Sequence, residues 1–201
     1  MRRIHALVLV PLMALAACSA PATTASPAAS APDSSAPANS APASSAPAST
    51  APAGSALTGD GYTLTLPKGW KDATADFKKL QPQVDTGAKK TADVTDGFTD
   101  NVNVIAQTSA ELSFDSLKDA IKAQLEGAGS TNIEFKETVR LDGRLALQVW
   151  STTKGAGDAH TIQFMTFNNS KMYVLTVSTN LDDAAAAGLA QEMVSGWKWA
   201  A

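Results

Sequence analysis

The alternation of apolar and polar positions begins abruptly at Leu57. Tyr62, Leu64 and Leu66 alternate with Thr63 and Thr65, the two-residue period of a strand with one buried face. Pro67 and the pair Gly69-Trp70 then read as a turn. Residues 71–98 carry no clear period and are expected to be mostly loop, with a short helix at 76–80. A second strand spans 101–107 through Val102, Val104 and Ile105. Phe114, Leu117, Ile121 and Leu125 follow at spacings of three, four and four, which predicts an amphipathic helix. Ser113 supplies its N-cap, Asp115 complements the dipole of its first turn, and Gly127 ends it.

Alternation resumes at Ile133. Ile133, Phe135, Val139 and Leu141 are expected on one face, with Glu134, Lys136, Thr138 and Arg140 on the other. Asp142-Gly143 is a strong hairpin signal. The returning strand, 145–150, puts Leu145, Leu147 and Val149 on one face and Ala146, Gln148 and Trp150 on the other. Strands at 161–167 and 172–178, joined by Asn168-Asn169-Ser170-Lys171, complete a meander. Asp182 or Asp183 can cap a last helix that runs to about Gly196, with Leu189, Met193 and Trp197 inward. This order predicts an α+β domain: an antiparallel β-sheet of about six strands flanked by helices.

The segments before the domain have a different physics. Arg2 and Arg3 precede an apolar run from Ile4 to Ala17, shorter than the roughly 20 residues of a spanning helix. This is the plan of an export signal. Its end, Leu15-Ala16-Ala17-Cys18, matches a bacterial lipobox. Residues 1–17 are therefore expected to be a lipoprotein signal peptide, cut between Ala17 and Cys18, with Cys18 lipidated. Two or more acyl chains hold a protein on a membrane stably. Residues 18–56 form the lipidated cysteine and a disordered linker of Ala, Pro, Ser and Thr, with proline at 27, 32, 37, 42, 47 and 52. Such a stretch has too little apolar bulk to fold and favours polyproline II. It could reach roughly 100 Å when extended. Residues 57–201 are the single folded domain.

Charge and composition remove several classes of function. The 201 residues carry 16 basic and 19 acidic side chains, a net charge of −3, so there is no basic footprint for nucleic acid. Loss of Arg2 and Arg3 makes the mature chain more acidic still. The chain's one cysteine excludes a disulfide framework and a cysteine-rich zinc site. Once Cys18 is acylated, no thiol nucleophile remains. His160 is the only histidine of the domain, too few for a usual catalytic zinc site, and no Gly-x-Ser-x-Gly elbow accompanies it. Asp93, Asp96 and Asp100 lack the spacing of a calcium loop. Gly155 and Gly157 lack the third glycine and following helix of a phosphate loop. No cofactor, no metal and no catalytic residue is expected.

The segments Gly61-Tyr62-Thr63-Leu64-Thr65-Leu66-Pro67-Lys68-Gly69-Trp70, Asn101-Val102-Asn103-Val104, Leu141-Asp142-Gly143-Arg144-Leu145-Ala146 and Ser195-Gly196-Trp197-Lys198-Trp199 occur in this order. Together they resemble the LpqN-type actinobacterial lipoproteins. The resemblance covers residues 57–201 and implies the Mog1/PsbP-like fold, whose members are non-catalytic binding or assembly modules. It supplies no ligand residues. The candidate binding face comes from the residues themselves. Ala146 and Gln148 leave room beside Trp150, and a large ring in a desolvated setting dominates binding energy. The expected function is a membrane-anchored extracytoplasmic lipoprotein, a non-enzymatic module docking an envelope protein. The alternative is a carrier or sensor of an apolar small molecule or envelope lipid.

Overall fold

The computed structural model describes residues 54–91, 98–154 and 158–200. The expected signal segment, Ala17, Cys18, most of the linker, Asp93, Asp96, Gly155 and Gly157 lie outside them. In chain order the elements are β1 (Ala56–Gly59), β2 (Tyr62–Thr65), β3 (Trp70–Asp72), α1 (Thr74–Leu80), β4 (Val84–Lys90), β5 (Asn101–Thr108), α2 (Phe114–Gly127), β6 (Ser130–Leu141), β7 (Arg144–Thr153), β8 (Ala159–Asn168), β9 (Lys171–Thr179), α3 (Asp183–Gly196) and β10 (Trp197–Trp199). Seven strands form one antiparallel sheet in the order β3-β4-β5-β9-β8-β7-β6, and β1-β2-β10 form a second. The domain is α+β.

The turns behave as their residues dictate. Asp142 and Gly143 take φ of 45° and 89°, and Asn169 and Ser170 take 49° and 57°. Both are two-residue hairpins whose positive φ matches the right-handed twist of the flanking strands. Ser113 accepts a hydrogen bond from the Ser116 amide, and Asp182 accepts one from Ala185. Each side chain satisfies an amide that the first turn of its helix leaves without a partner.

Four strands differ from the sequence expectation. β4 runs through the supposed loop, because Gly87 and Ala88 hide its strand character. Gly87 is needed there, since a Cβ would drive into the ring of Phe77, the buried residue of α1. β1, β3 and β10 are three or four residues long, too short to show a period, and are held by pairing. Backbone pairing also begins before Leu57: the Leu66 amide donates to Ser55 at 2.8 Å and the Gly54 amide to Leu66 at 3.0 Å.

The large sheet is covered on both faces, so β8 and β9 are buried along nearly their whole length. On one face α2 sets Leu117, Ile121 and Leu125 against Leu147, Val149, Met165 and Val174. On the other, α3 and the small sheet bury Leu64, Met193 and Trp197 against Val104, Phe164, Leu175 and Val177. The expected single face of β6 is split. The pairing shifts between Lys136 and Val139, and the extra residue of this bulge moves later side chains to the opposite face. Ile133 and Phe135 therefore pack on the α2 side, whereas Val139 and Leu141 pack on the α3 side. Leu145, expected to be inward, is 49% exposed. It sits at the hairpin end, beside Leu112 and Phe114 at the start of α2.

The end of the chain is latched to the β6–β7 turn. Asp142 accepts from Lys198 Nζ at 2.9 Å and from the Trp199 amide at 3.0 Å, while Trp199 Nε1 donates to the Leu141 carbonyl at 3.0 Å. The Lys198 hydrogen bond, and then the Trp199 amide, hold the Asp142 carboxyl below its ordinary value. A depressed carboxyl stabilises the fold above its unfolded pKa of about 3.9 and loses that contribution as pH falls through its folded value. Asp142→Asn, which still tolerates the left-handed turn, is expected to lower the thermal midpoint by a few degrees at pH 7. The two midpoints should converge as pH falls below the carboxylate range; a constant gap would place the effect in the turn rather than in the charge.

Candidate functional site

Trp150 stands on β7 facing the α3 side, opposite Glu134 of β6 and Ile162 of β8. One pair further along, Thr152 faces His160, and one pair back, Gln148 faces Lys136. The edge of the sheet thus brings Glu134, Lys136, Trp150, Thr152 and His160 onto one face. The first turn of α3 overhangs it with Asp183 and Ala187. These side chains border an open hollow of about 450 Å³, within the size range of small-ligand sites.

Trp150 is half-buried. Lys136 Nζ lies 5.8 Å from its ring centroid, in cation–π range, and pairs with Glu134. The His160 ring meets Trp150 edge-on at 6.0 Å. His160 Nε2 is 3.3 Å from Asp183 Oδ1, a carboxylate whose side chain is 90% exposed, so the pair is solvated and weak. The Asn132 amide, at a positive φ of 51°, donates to Thr152 Oγ1 at 3.4 Å. The indole Nε1 of Trp150 is buried without a hydrogen-bond partner among the described residues. Buried indole N–H groups ordinarily find an acceptor; the Nε1 of Trp197, in the core, likewise has none among the described residues.

The three residues of the expected face part company here. Trp150 lines the hollow. Gln148 is half-buried between Lys136 and Phe164 and lies outside the lining. Ala146 is a correction: it is fully buried in the core, across from Val139. Its small side chain lets the covering layer come close and opens no space. Glu134 and Lys136 were visible as a polar strand face. Asp183 was visible only as a helix cap, and its meeting with His160 comes from the path of α3 over the sheet, which no local signal reports.

Among the described residues no hydroxyl hydrogen-bonds His160, and no group of three or more His, Cys, Asp or Glu could hold a metal. Asp100, one of the three clustered aspartates, is buried and pairs with Lys90 at 3.2 Å.

No family model and no curated protein sequence matches the chain. Solved structures do. The cyanobacterial PsbP of Synechocystis is 19% identical, with 70% of this chain and 87% of that one covered at a TM-score of 0.50. LpqN, involved in cell envelope biogenesis of Mycobacterium tuberculosis, is 15% identical over 72% of this chain and 88% of its own, at 0.48. Mog1 is 14% identical over 69% and 90%, at 0.47. The overlay on PsbP shows the fold: the domain has the Mog1/PsbP-like fold.

Trp150→Ala is expected to leave the domain folded and to cost less than the roughly 3–5 kcal/mol of a fully buried aromatic. Urea unfolding checks this. A larger loss would make the ring part of the core and remove it from the site.

Proposed function

We propose that the protein is a non-enzymatic binding module of the cell envelope, anchored through acylated Cys18 and engaging an envelope protein at the Trp150 hollow. The lipobox and the proline-punctuated linker support the anchor. The single observation that carries the site is Trp150, a half-buried aromatic ring at an open hollow with the Lys136 ammonium 5.8 Å from its centroid. The walls favour a polar partner surface over an apolar ligand, since Glu134, Lys136, His160 and Asp183 would each have to be desolvated against a hydrocarbon chain. The Mog1/PsbP-like fold and the LpqN-like order of sequence segments agree with a module that binds rather than catalyses.

Two substitutions test the two halves of this reading. Cys18→Ser is expected to move the protein from the membrane fraction to the soluble envelope fraction, because the hydroxyl does not replace the thiol in lipid transfer; fractionation and immunoblotting measure it. Photo-crosslinking from position 152 in intact cells should trap a defined protein. Trp150→Ala should weaken that capture at least tenfold, about 1.4 kcal/mol. Equal capture by the alanine variant would place the binding surface elsewhere.

A further inference from the structure

The described residues expose three large apolar side chains, Leu80, Leu112 and Leu145. Two of them meet at one corner. Leu112 lies just before the Ser113 cap of α2 and Leu145 at the start of β7; with Phe114 and Phe167 they border an open hollow of about 390 Å³. Arg144 lines the same hollow. Arg140 stands directly across the strands from Leu145 and donates to the Gly143 carbonyl at 2.6 Å. Arg140 and Arg144 are the only arginines after Arg3. Neither forms an ion pair among the described residues, whereas seven lysines of the domain do. Glu111 is the one acidic side chain in the lining, and the Asp142 carboxylate is already taken by Lys198 and the Trp199 amide.

We infer that this corner, the β6–β7 hairpin with the start of α2, is a docking surface for an anionic lipid bilayer. Exposed leucines beside guanidinium groups that lack a carboxylate partner suit a membrane interface, where the apolar side chains enter the acyl boundary and the arginines meet phosphates. From residue 18 onward the chain has 14 basic against 19 acidic side chains, so an anionic surface repels it overall and contact is made through a locally basic, apolar patch such as this corner. Two leucines and two arginines make a weak contact. Under the anchor proposed above, the linker keeps the domain near the bilayer, where a weak contact is populated. The corner itself does not depend on that anchor.

The test uses the chain from residue 18 onward with Cys18→Ser, so that no acyl chain contributes. Vesicles of phosphatidylcholine alone, and of phosphatidylcholine with one third phosphatidylglycerol, are compared in a flotation assay. Binding is expected to the anionic vesicles, to fall as salt is raised, and to be at least fivefold weaker on neutral ones. Leu145→Ser and Arg144→Gln should each reduce it about fivefold without changing the circular dichroism. Leu80→Ser, which removes the most exposed leucine elsewhere on the domain, should bind like its parent. Absence of flotation, equal binding to both vesicles, or equal loss in the Leu80 variant overturns the inference. A Leu145 variant that changes only the oligomeric state also overturns it and assigns the corner to a second copy of this chain.

Discussion

The stacking of Tyr62 on Trp197, with ring centroids 4.2 Å apart and planes within 8°, is the contact on which one whole layer of the domain depends. A seven-stranded sheet with both faces apolar must be covered twice. α2 covers most of one face with a clear amphipathic stripe, and Phe77 of α1 covers Val84 and Ile105 on the rest of it. The other cover is composite: α3 turns only a short buried row of Ala186, Ala190, Met193 and Val194 toward the core and needs the three-stranded sheet beside it. That small sheet joins the first two strands of the domain to the last one, and the fully buried rings of Tyr62 and Trp197 lock them together. Tyr173, edge-on to Tyr62 at 5.9 Å, ties the stack to the large sheet. Burial pushes the Tyr62 hydroxyl pKa strongly upward, and its 2.7 Å bond to Thr86 supplies the partner that a buried hydroxyl requires.

The position of α3 then determines whether a hollow exists. Because Trp197 follows the helix directly, seating it in the core fixes where the far end, Asp183, comes to rest. That end lies over the edge strands, where the bulge of β6 has separated the side chains. Had β6 kept a strict alternation, Val139 and Leu141 would lie on the α2 face with Phe135. The core beneath the C-terminal end of α3 would then lose both of them. The bulge gives the α3 face polar residues at one end of β6 and apolar ones at the other. Site and core share one strand for this reason.

Residues whose local chemistry is self-sufficient were legible from the sequence. Asp142-Gly143, the caps at Ser113 and Asp182, the end of α2 at Gly127 and the meander of β6 to β9 all follow from interactions within a few positions. The elements missed are those defined by partners far away. β4 carries Gly87 for the sake of Phe77, and β10 is a strand because β2 is waiting for it. The site divides along the same line. A tryptophan among small and polar neighbours was visible, and so were Glu134 and Lys136 as a polar face. Reading Ala146 as open space failed because side-chain size on a strand does not report how near the covering layer comes. The pairing of His160 with Asp183 is tertiary throughout.

β7 links the two surfaces, and its geometry sets how they are disposed. Successive side chains of a strand point to opposite faces, so Leu145 and Trp150, five positions apart, face opposite ways and lie about 16 Å apart along the strand at 3.3 Å per residue. A bilayer met by the hairpin corner would therefore take the α2 side of that end, leaving the Trp150 hollow on the other face and further from the lipid. The acidic excess of the chain works in the same direction, since repulsion from anionic headgroups penalises any orientation that turns the carboxylates toward the membrane. Under the membrane docking inferred above, orientation comes from the domain's own surface, where the corner of Arg140, Arg144, Leu112 and Leu145 combines charge with apolar contact.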